Sequence, residues 1–349
     1  DESLDLIRKR CILPGVIGRA CTHPCEEACI RNGIDQTLAI RLLKRAAADN
    51  DLASGGGALK KPTAERPEKV AIVGAGPAGL AAAYHLRRMG YQVTIFEAFP
   101  KGGGMAAVGI PDYRLPKNIL EHETRLIREL GADIQYNRKI TKLDMDELTA
   151  QGFKAVFLGV GAHEGTRMGC KGEDAGYEGF VDGAVFLRDL ALGKPVEPKG
   201  KVVIVGGGNV AMDCARSCLR LGFKDVEILY RRTRKEMPAR AEEIDEALEE
   251  GVKIRYLVAP VSVLADGNRV KGLECIRMKL GEPDSSGRRR PVPVKGSEFK
   301  VKADMVIPAI GQKPELGFAG DVLQVTGWGT IEVNPEKLRT NLEGVFAGG

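Results

Sequence analysis

Two glycine-rich segments of the 349-residue chain share one spacing and differ in the charge that follows. The first places Gly74, Gly76 and Gly79 after a short apolar run, and an acid, Glu97, follows the next apolar run. Glycines at this spacing allow a tight turn and bring a pyrophosphate close to a helix N-terminus, while the acid accepts hydrogen bonds from ribose hydroxyls. The segment, with Pro77 inside it, predicts a dinucleotide site, and a glycine turn without a ligand is the weaker alternative.

The second segment has the same loop, with Ala211 in place of the third glycine. Where the first segment has its acid, the second has two arginines. Guanidinium groups bind a 2′-phosphate through charge-assisted hydrogen bonds, whereas a carboxylate would repel it. We therefore expect NADP(H) here and FAD at the first segment, the alternative being that the arginines form an exposed cluster at a strand end. The residues predicted to bind NADP(H) are Gly206, Gly208, Asn209, Val210, Arg231 and Arg232.

Three cysteines precede both loops at intervals of four positions: Cys21, Cys25 and Cys29. Closely spaced thiolates with a nearby proline are typical iron–sulfur ligands. Zinc sites more often pair two CxxC motifs, or cysteines with histidines. Cys11 is either a fourth ligand or a small buried residue. Cys214 and Cys218 lie one turn apart in a predicted helix, where packing is the favoured role.

The elements around these residues predict an α/β chain. Helical patterns flank the cysteine loop, and strand–glycine loop–helix–strand units begin at Lys69 and Lys201. A helix is predicted over 117–130 after the first unit. The second unit is predicted to contain a strand over 202–205, a helix over 209–221 and a strand over 253–258. Such units form parallel sheets with right-handed crossovers. We predict two Rossmann-like, three-layer nucleotide-binding domains, one inserted in the other, preceded by a small helical iron–sulfur domain. The predicted boundaries are 1–52 for the helical iron–sulfur domain, 53–68 for a linker, 69–165 with 312–349 for the FAD-binding domain, and 166–311 for the NADP(H)-binding domain. The helical domain is expected to be truncated at its N-terminus and the FAD-binding domain at its C-terminus.

Composition excludes several classes of protein. The formal net charge of +5 is too small and dispersed to predict nucleic-acid binding. The one dense basic run, Arg288-Arg289-Arg290, is interpreted as a solvated turn. Without a long apolar run or a signal peptide, and with crowded cysteines, a cytoplasmic enzyme without membrane insertion is expected.

Longer motifs carry a resemblance to a known family. They occupy residues 18–29, 40–45, 103–105, 109–116, 206–213, 230–232, 237–239, 309–314 and 344–349. Through them the chain resembles the small (β) subunit of NADPH-dependent glutamate synthase. Its wider relatives include the amino-terminal part of dihydropyrimidine dehydrogenase and the large subunit of the bifurcating ferredoxin:NADP transhydrogenase.

The resemblance implies roles for individual residues. Cys21, Cys25 and Cys29 would ligate 4Fe–4S clusters, not necessarily the same one, whereas Cys11 falls outside the family's usual ligand positions. The residues implied to hold FAD are Gly74, Gly76, Gly79, Glu97, Gly104, Met105 and Gly349. The residues implied to hold NADP(H) are Gly206, Gly208, Asn209, Arg231, Arg232 and Gly311.

The implied activity is transfer of hydride from NADPH to FAD and of single electrons to clusters and a partner subunit. That partner is a glutamate synthase large subunit or another reductase module. No catalytic side chain is expected, because the cofactors carry the chemistry. Two alternatives stay open, an electron-bifurcating module of a larger complex and a non-catalytic scaffold with a degenerate flavin site. A self-contained disulfide or quinone reductase is disfavoured, because no CxxC motif is present.

Overall fold

A computed structural model describes residues 2–285 and 287–349. Contacts divide the chain into two compact units. Unit 1 comprises Asp1–Ala162 and Pro314–Gly349, and unit 2 comprises His163–Lys313. Unit 2 is therefore an insertion in the sequence of unit 1.

Strands and helices alternate through much of both units. The strands are β1 (Lys69–Val73), β2 (Gln92–Phe96), β3 (Asp133–Gln135), β4 (Phe153–Leu158), β5 (Glu164–Gly165), β6 (Lys201–Val205), β7 (Asp225–Tyr230), β8 (Lys253–Tyr256), β9 (Val258–Asp266), β10 (Arg269–Pro283), β11 (Arg289–Pro293), β12 (Phe299–Lys302), β13 (Met305–Pro308), β14 (Gln312–Lys313) and β15 (Val345–Ala347). The α-helices are α1 (Glu2–Arg8), α2 (Pro14–Ala20), α3 (Pro24–Glu27), α4 (Ile40–Ala53), α5 (Pro77–Arg88), α6 (Met105–Val108), α7 (Lys117–Glu129), α8 (Met145–Ala150), α9 (Gly183–Ala191), α10 (Asn209–Leu221) and α11 (Ala241–Glu249). Among the described residues, none of these helices is long and apolar enough to cross a bilayer.

Unit 1 is built on a parallel five-stranded sheet in the order β15-β4-β1-β2-β3. Strand β1 is central because it is apolar on both faces, with Ala71 and Ile72 fully buried. Strand β15 pairs with β4 from Val345↔Val156 to Ala347↔Leu158. The last strand of the described chain thus belongs to the same sheet as the first strand.

The helical segment α1–α4 lies in unit 1, and a buried carboxylate connects it to the sheet's helices. Glu123 on α7 accepts hydrogen bonds from the backbone N–H groups of Gly15 (2.7 Å) and Val16 (3.1 Å). These donors belong to the first turn of α2, where N–H groups have no partner within the helix. An anion at this position also interacts favourably with the helix dipole. Glu123 therefore caps α2 from another helix.

Unit 2 combines two different sheets. A parallel sheet has the order β13-β6-β7-β8, and an antiparallel sheet has the order β11-β10-β12, with β9 also paired to β10. The short strands β5 and β14 form a separate antiparallel pair. Helix α10 packs on the parallel sheet through the fully buried residues Met212, Cys214 and Cys218.

The predicted α/β fold class, with one Rossmann-like domain inserted in another, is confirmed, and several elements differ in detail. Helix α10 occupies the predicted residues 209–221, and α7 ends one residue before the predicted end. The strand predicted over 253–258 is instead divided between β8 and β9, because Leu257 has a φ of +57°. Helix α2 and the antiparallel sheet were not predicted.

Glu123 predicts a specific pH dependence of stability. Burial raises its pKa from 4.5 to about 7, against the opposing effect of the Gly15 and Val16 N–H groups. The folded state therefore binds more protons than the unfolded state between these values, and the stability contributed by Glu123 is lost as the pH rises through about 7. Relative to Glu123→Gln, which does not titrate, the wild-type free energy of unfolding should fall by about 2–3 kcal/mol from about pH 5 to about pH 8. Denaturant unfolding at several pH values measures this difference, and a difference independent of pH would contradict the assignment.

Candidate nucleotide-binding sites

The first glycine loop lies at the carboxyl edge of the unit 1 sheet, directly after β1. Gly74 has a φ of +99°, and a Cβ there would lie 2.4 Å from the carbonyl oxygen of Gly159. Glycine is therefore required for the turn that leaves the strand. At Gly76 an added Cβ would meet nothing closer than 3.8 Å, so the space over this backbone is open. A pyrophosphate approaching the loop would use that space.

Helix α5 begins at this open space with Gly76 as its N-cap. In the part of the chain that the structure describes, no side chain caps the helix. Its first-turn N–H groups and the positive end of its dipole favour an anion. The geometry of the loop therefore fits the phosphates of a dinucleotide.

Glu97 follows the adjacent strand β2 and is buried. Its carboxylate accepts hydrogen bonds from the backbone N–H groups of Ala75 in the glycine loop (2.7 Å) and of Phe99 (2.8 Å). Burial raises the pKa of Glu97, and these two donors oppose the rise. Each carboxylate oxygen retains a further acceptor site for a ribose hydroxyl.

Three other residues predicted to bind FAD, Gly104, Met105 and Gly349, also lie near the glycine loop. The N–H of Gly103 donates to the carbonyl of Ala75 (2.7 Å), and a Cβ on Gly104 would lie 2.7 Å from the Cα of Gly76. Met105 begins α6 directly afterwards. A Cβ on Gly349 would lie 3.0 Å from the Cβ of Ala78, in the first turn of α5. The structure thus gathers the residues predicted for FAD at one edge of the sheet, and they fit an extended dinucleotide.

Unit 2 repeats this arrangement after β6. Gly206 has a φ of +150°, and a Cβ there would lie 2.2 Å from the carbonyl oxygen of Ala309. Gly208 is the N-cap of α10, and the described residues provide no side-chain cap. An added Cβ on Gly208 would meet nothing closer than 3.7 Å. The same open anion site therefore exists in both units.

A cavity of about 660 Å³ lies over this second loop. It is lined by residues that follow three neighbouring strands: Gly311 after β13, Gly208 after β6 and Arg231 after β7. Asn209 and Val210, at the start of α10, also line it. The carboxyl edge of a parallel sheet is where dinucleotides bind. The residues predicted for NADP(H) therefore surround one cavity of suitable size.

The two arginines after β7 differ in their surroundings. Arg231 is exposed and has no hydrogen bond or ion pair to any residue that the structure describes. Arg232 is buried, and its guanidinium donates to the Asp284 carboxylate (2.7 Å) and to the carbonyl of Arg289 (2.8 Å). Both arginines were predicted to bind a 2′-phosphate. The Arg232 guanidinium is already bonded to Asp284 and Arg289, whereas the Arg231 guanidinium is available for a ligand.

Sequence reasoning missed Arg288, which lines the same cavity. The run Arg288-Arg289-Arg290 was expected in a solvated turn, but Arg289 begins β11. All three arginines are exposed, as expected. Nothing in the local pattern indicates that an antiparallel hairpin brings Arg288 to the nucleotide cavity.

The cysteine loop lies between α2 and α4. Cys21 follows α2 directly, Cys25 is exposed within α3, and Cys29 precedes a short 3₁₀ helix (Ile30–Gly33). Within residues 2–285 and 287–349 no three cysteine, histidine or acidic side chains are arranged to hold a metal ion. The predicted thiols therefore do not form a complete metal site among themselves, and Cys11 does not complete one.

The thiols differ in their tendency to ionise. Hydrogen bonds from the backbone of Leu38 and Arg31 lower the pKa of Cys29, whereas burial raises the pKa of Cys11. The thiolate is the form that binds metals. Cys29 is thus better suited than Cys11 to be a ligand. Burial also raises the pKa of Cys218 to about 12, in agreement with the predicted packing role of Cys214 and Cys218.

Two open anion sites, each at the carboxyl edge of a parallel sheet, are the geometry expected of an α/β protein that binds two dinucleotides. The family model described as pyridine nucleotide-disulphide oxidoreductase matches residues 68–349. The chain belongs to this family, and its predicted use of FAD and NADP(H) agrees with that membership.

Several relatives are similar over almost the whole chain. The β subunit of the NADP(+)-dependent formate dehydrogenase of Moorella thermoacetica is 51% identical over 372 residues, covering 100% of this chain and 52% of that protein. The β subunit of an NADPH-Fe(3+) oxidoreductase of Geobacter sulfurreducens is 50% identical over 376 residues, covering 100% of this chain and 56% of that protein. The chain thus spans about half the length of these two relatives.

A protein of Cereibacter sphaeroides named as a glutamate synthase small chain is 35% identical over 354 residues, covering 96% of this chain and 84% of that protein. This confirms the predicted resemblance to the glutamate synthase small-subunit family. Mycobacterium tuberculosis FprA in complex with NADPH has a TM-score of 0.69 at 19% identity, covering 81% of this chain and 79% of that one. Thioredoxin reductase of T. acidophilum has a TM-score of 0.58 at 22% identity, covering 80% of this chain and 88% of that one. These two structures establish a shared fold.

The contacts of Glu97 predict that Glu97→Ala weakens FAD binding by roughly tenfold or more. The change removes the acceptor for a ribose hydroxyl and leaves the Ala75 N–H of the glycine loop without its partner. Retained FAD per protein and fluorescence titration of the apoprotein measure the effect. Asp133→Ala, which removes an exposed carboxylate from the neighbouring strand β3, is the matched control. Equal FAD retention in both variants would contradict the role of Glu97.

Proposed function

We propose that this chain is the nucleotide-oxidising part of a multi-subunit oxidoreductase, with FAD in unit 1 and NADP(H) in unit 2. The observation that carries the proposal is the contrast between the two glycine loops. The loops share an uncapped helix start, but the residue after the second strand is a buried acid in one and an exposed arginine in the other. Glu97 suits the hydroxyl-bearing ribose of FAD, and Arg231 suits a 2′-phosphate.

The two cofactors would supply the chemistry, with hydride passing between nicotinamide and flavin. The chain's own residues bind and orient them. The two helix starts neutralise pyrophosphate charge, Glu97 fixes one ribose, and Arg231 selects the phosphorylated nucleotide. No side chain is assigned as an acid, base or nucleophile. This agrees with the raised pKa values of the buried thiols Cys214 and Cys218.

The names of the three relatives support a partner subunit that accepts or supplies electrons. Two are named as β subunits and one as a small chain, so each is part of a complex. All three names include NADP(+) or NADPH. They differ in the second half of the reaction, which involves formate in one, Fe(3+) in another and glutamate synthesis in the third. We infer that the nucleotide half-reaction belongs to this chain and that the partner determines the other half-reaction. An electron-bifurcating complex is a further partner of the same kind.

We further propose that Cys21, Cys25 and Cys29 are ligands of iron–sulfur clusters completed by residues outside this loop. Their spacing and the lowered pKa of Cys29 support the proposal. The three thiols do not form a complete site by themselves, so the clusters would need additional ligands.

A nucleotide comparison tests the proposed function. Under anaerobic conditions, NADPH should reduce the flavin of the full-length protein at lower concentration than NADH, and Arg231→Ala should narrow the difference by roughly tenfold. Stopped-flow absorbance of the flavin measures both effects. Preference for NADH would overturn the assignment of unit 2, and no flavin reduction by either nucleotide would favour a non-catalytic scaffold.

Metal analysis tests the cysteine proposal. Cys25→Ser in the full-length protein should lower iron and acid-labile sulfide and weaken the reduced-cluster signal in low-temperature electron paramagnetic resonance. Cys275→Ser, at a buried cysteine of unit 2, is the control. Unchanged iron content in Cys25→Ser would exclude Cys25 as a ligand.

A further inference from the structure

An antiparallel hairpin reaches the nucleotide cavity of unit 2. It is formed by β10 and β11, and Arg288, directly before β11, lines the cavity with Arg231 and Arg232. In all, the lining residues include four arginines and one acid, Asp182. The Asp182 carboxylate already accepts hydrogen bonds from the first turn of α9. The cavity therefore has an excess of positive charge beyond what the glycine loop provides.

Arg232 connects this hairpin to the end of β7. Its Nη2 donates to the Asp284 carboxylate at 2.7 Å, and its Nε donates to the Arg289 carbonyl at 2.8 Å. The N–H of Asp284 in turn donates to the carbonyl of Arg288 at 2.8 Å. The Arg232 side chain is only 7% exposed, so its ion pair is shielded from solvent. These bonds hold Arg288 beside the strand end that the ribose of a bound nucleotide would face.

We propose that this hairpin is part of the 2′-phosphate site. This proposal rests on the proposed assignment of NADP(H) to unit 2. Arg288 and Arg231 present their guanidinium groups to the phosphate. Arg232 is a positioning residue that fixes Arg288 through Asp284 and the backbone of Arg289. Specificity for the phosphorylated nucleotide then depends on an element outside the glycine-loop motif.

The 2′-phosphate is absent from NAD(H), so Arg288 should affect only ligands that carry it. Arg288→Ala should weaken binding of 2′,5′-ADP roughly tenfold and leave binding of 5′-AMP within about twofold. Arg290→Ala is the matched control, because Arg290 lies on the same hairpin, is exposed, and is not among the residues lining the cavity. Isothermal titration calorimetry with the full-length protein measures both ligands without requiring turnover.

The outcomes separate this inference from the proposed function. If the wild-type protein does not prefer 2′,5′-ADP to 5′-AMP, the NADP(H) assignment fails and the hairpin role fails with it. If that preference exists and Arg288→Ala retains it, the hairpin role alone fails. Equal weakening of both ligands by Arg288→Ala would also overturn it.

Asp284→Ala tests the positioning role of Arg232, because the two possible roles of Asp284 change the affinity for 2′,5′-ADP in opposite directions. Removing an acid near a phosphate site should, by charge alone, strengthen phosphate binding. If Asp284 instead holds the hairpin, Asp284→Ala should weaken 2′,5′-ADP binding, and adding Arg288→Ala should weaken it little further, because both act through one element. Stronger binding, or fully additive losses, would contradict the positioning role.

Discussion

The first turn of an α-helix has N–H groups without partners in the helix, and in both unit 1 and unit 2 the helix that follows the glycine loop leaves this turn open. In each unit, a parallel strand ends at a glycine whose positive φ redirects the chain, and the helix then begins without a side-chain cap. Serine, threonine or aspartate at either N-cap would satisfy these donors internally. Glycine at the N-cap instead leaves both the donors and the space above them to an external anion. The neighbouring strands then determine which anion-bearing ligand is suitable.

Opposite charges at equivalent positions distinguish the two units. Glu97 is buried and bonded to the loop that it follows, so it is fixed as an acceptor before any ligand arrives. Arg231 is exposed, and the positive charge near it is organised by contacts among Arg232, Asp284 and Arg289. A hydroxyl acceptor works through a short, directed hydrogen bond, whereas a phosphate site benefits from several cations around one anion. This difference explains why the acid site consists of Glu97 and its own glycine loop, whereas the proposed 2′-phosphate site also includes the β10–β11 hairpin.

The local pattern of the sequence was sufficient to predict the βαβ units. It was insufficient to predict the antiparallel sheet of unit 2 and helix α2. An apolar run followed by glycines and a helical pattern depends on neighbours in sequence, so β6, the second glycine loop and α10 were predicted nearly to the residue. Strands β9 to β12 pair antiparallel across irregular registers, with shifts between Val270 and Gly272 and between Leu280 and Pro283. No local period encodes such pairing. The position of Arg288 at the cavity is a consequence of that pairing and was missed with it.

Helix α2 was missed for a different reason. It contains Gly15 and Gly18, and glycine is unfavourable within helices. In the fold, a Cβ on Gly18 would lie 2.7 Å from the Cβ of Arg45 on α4, so close packing requires the residue that helix propensity opposes. The cap that compensates α2 comes from Glu123, far away in sequence. Because α2 ends at Ala20 and Cys21 follows, a helix held by Glu123 at its first turn positions the start of the cysteine loop. Within unit 1, the loop is thus fixed to helix α7 through a buried contact between a carboxyl group and a helix start, in addition to the covalent connection from α4 to β1.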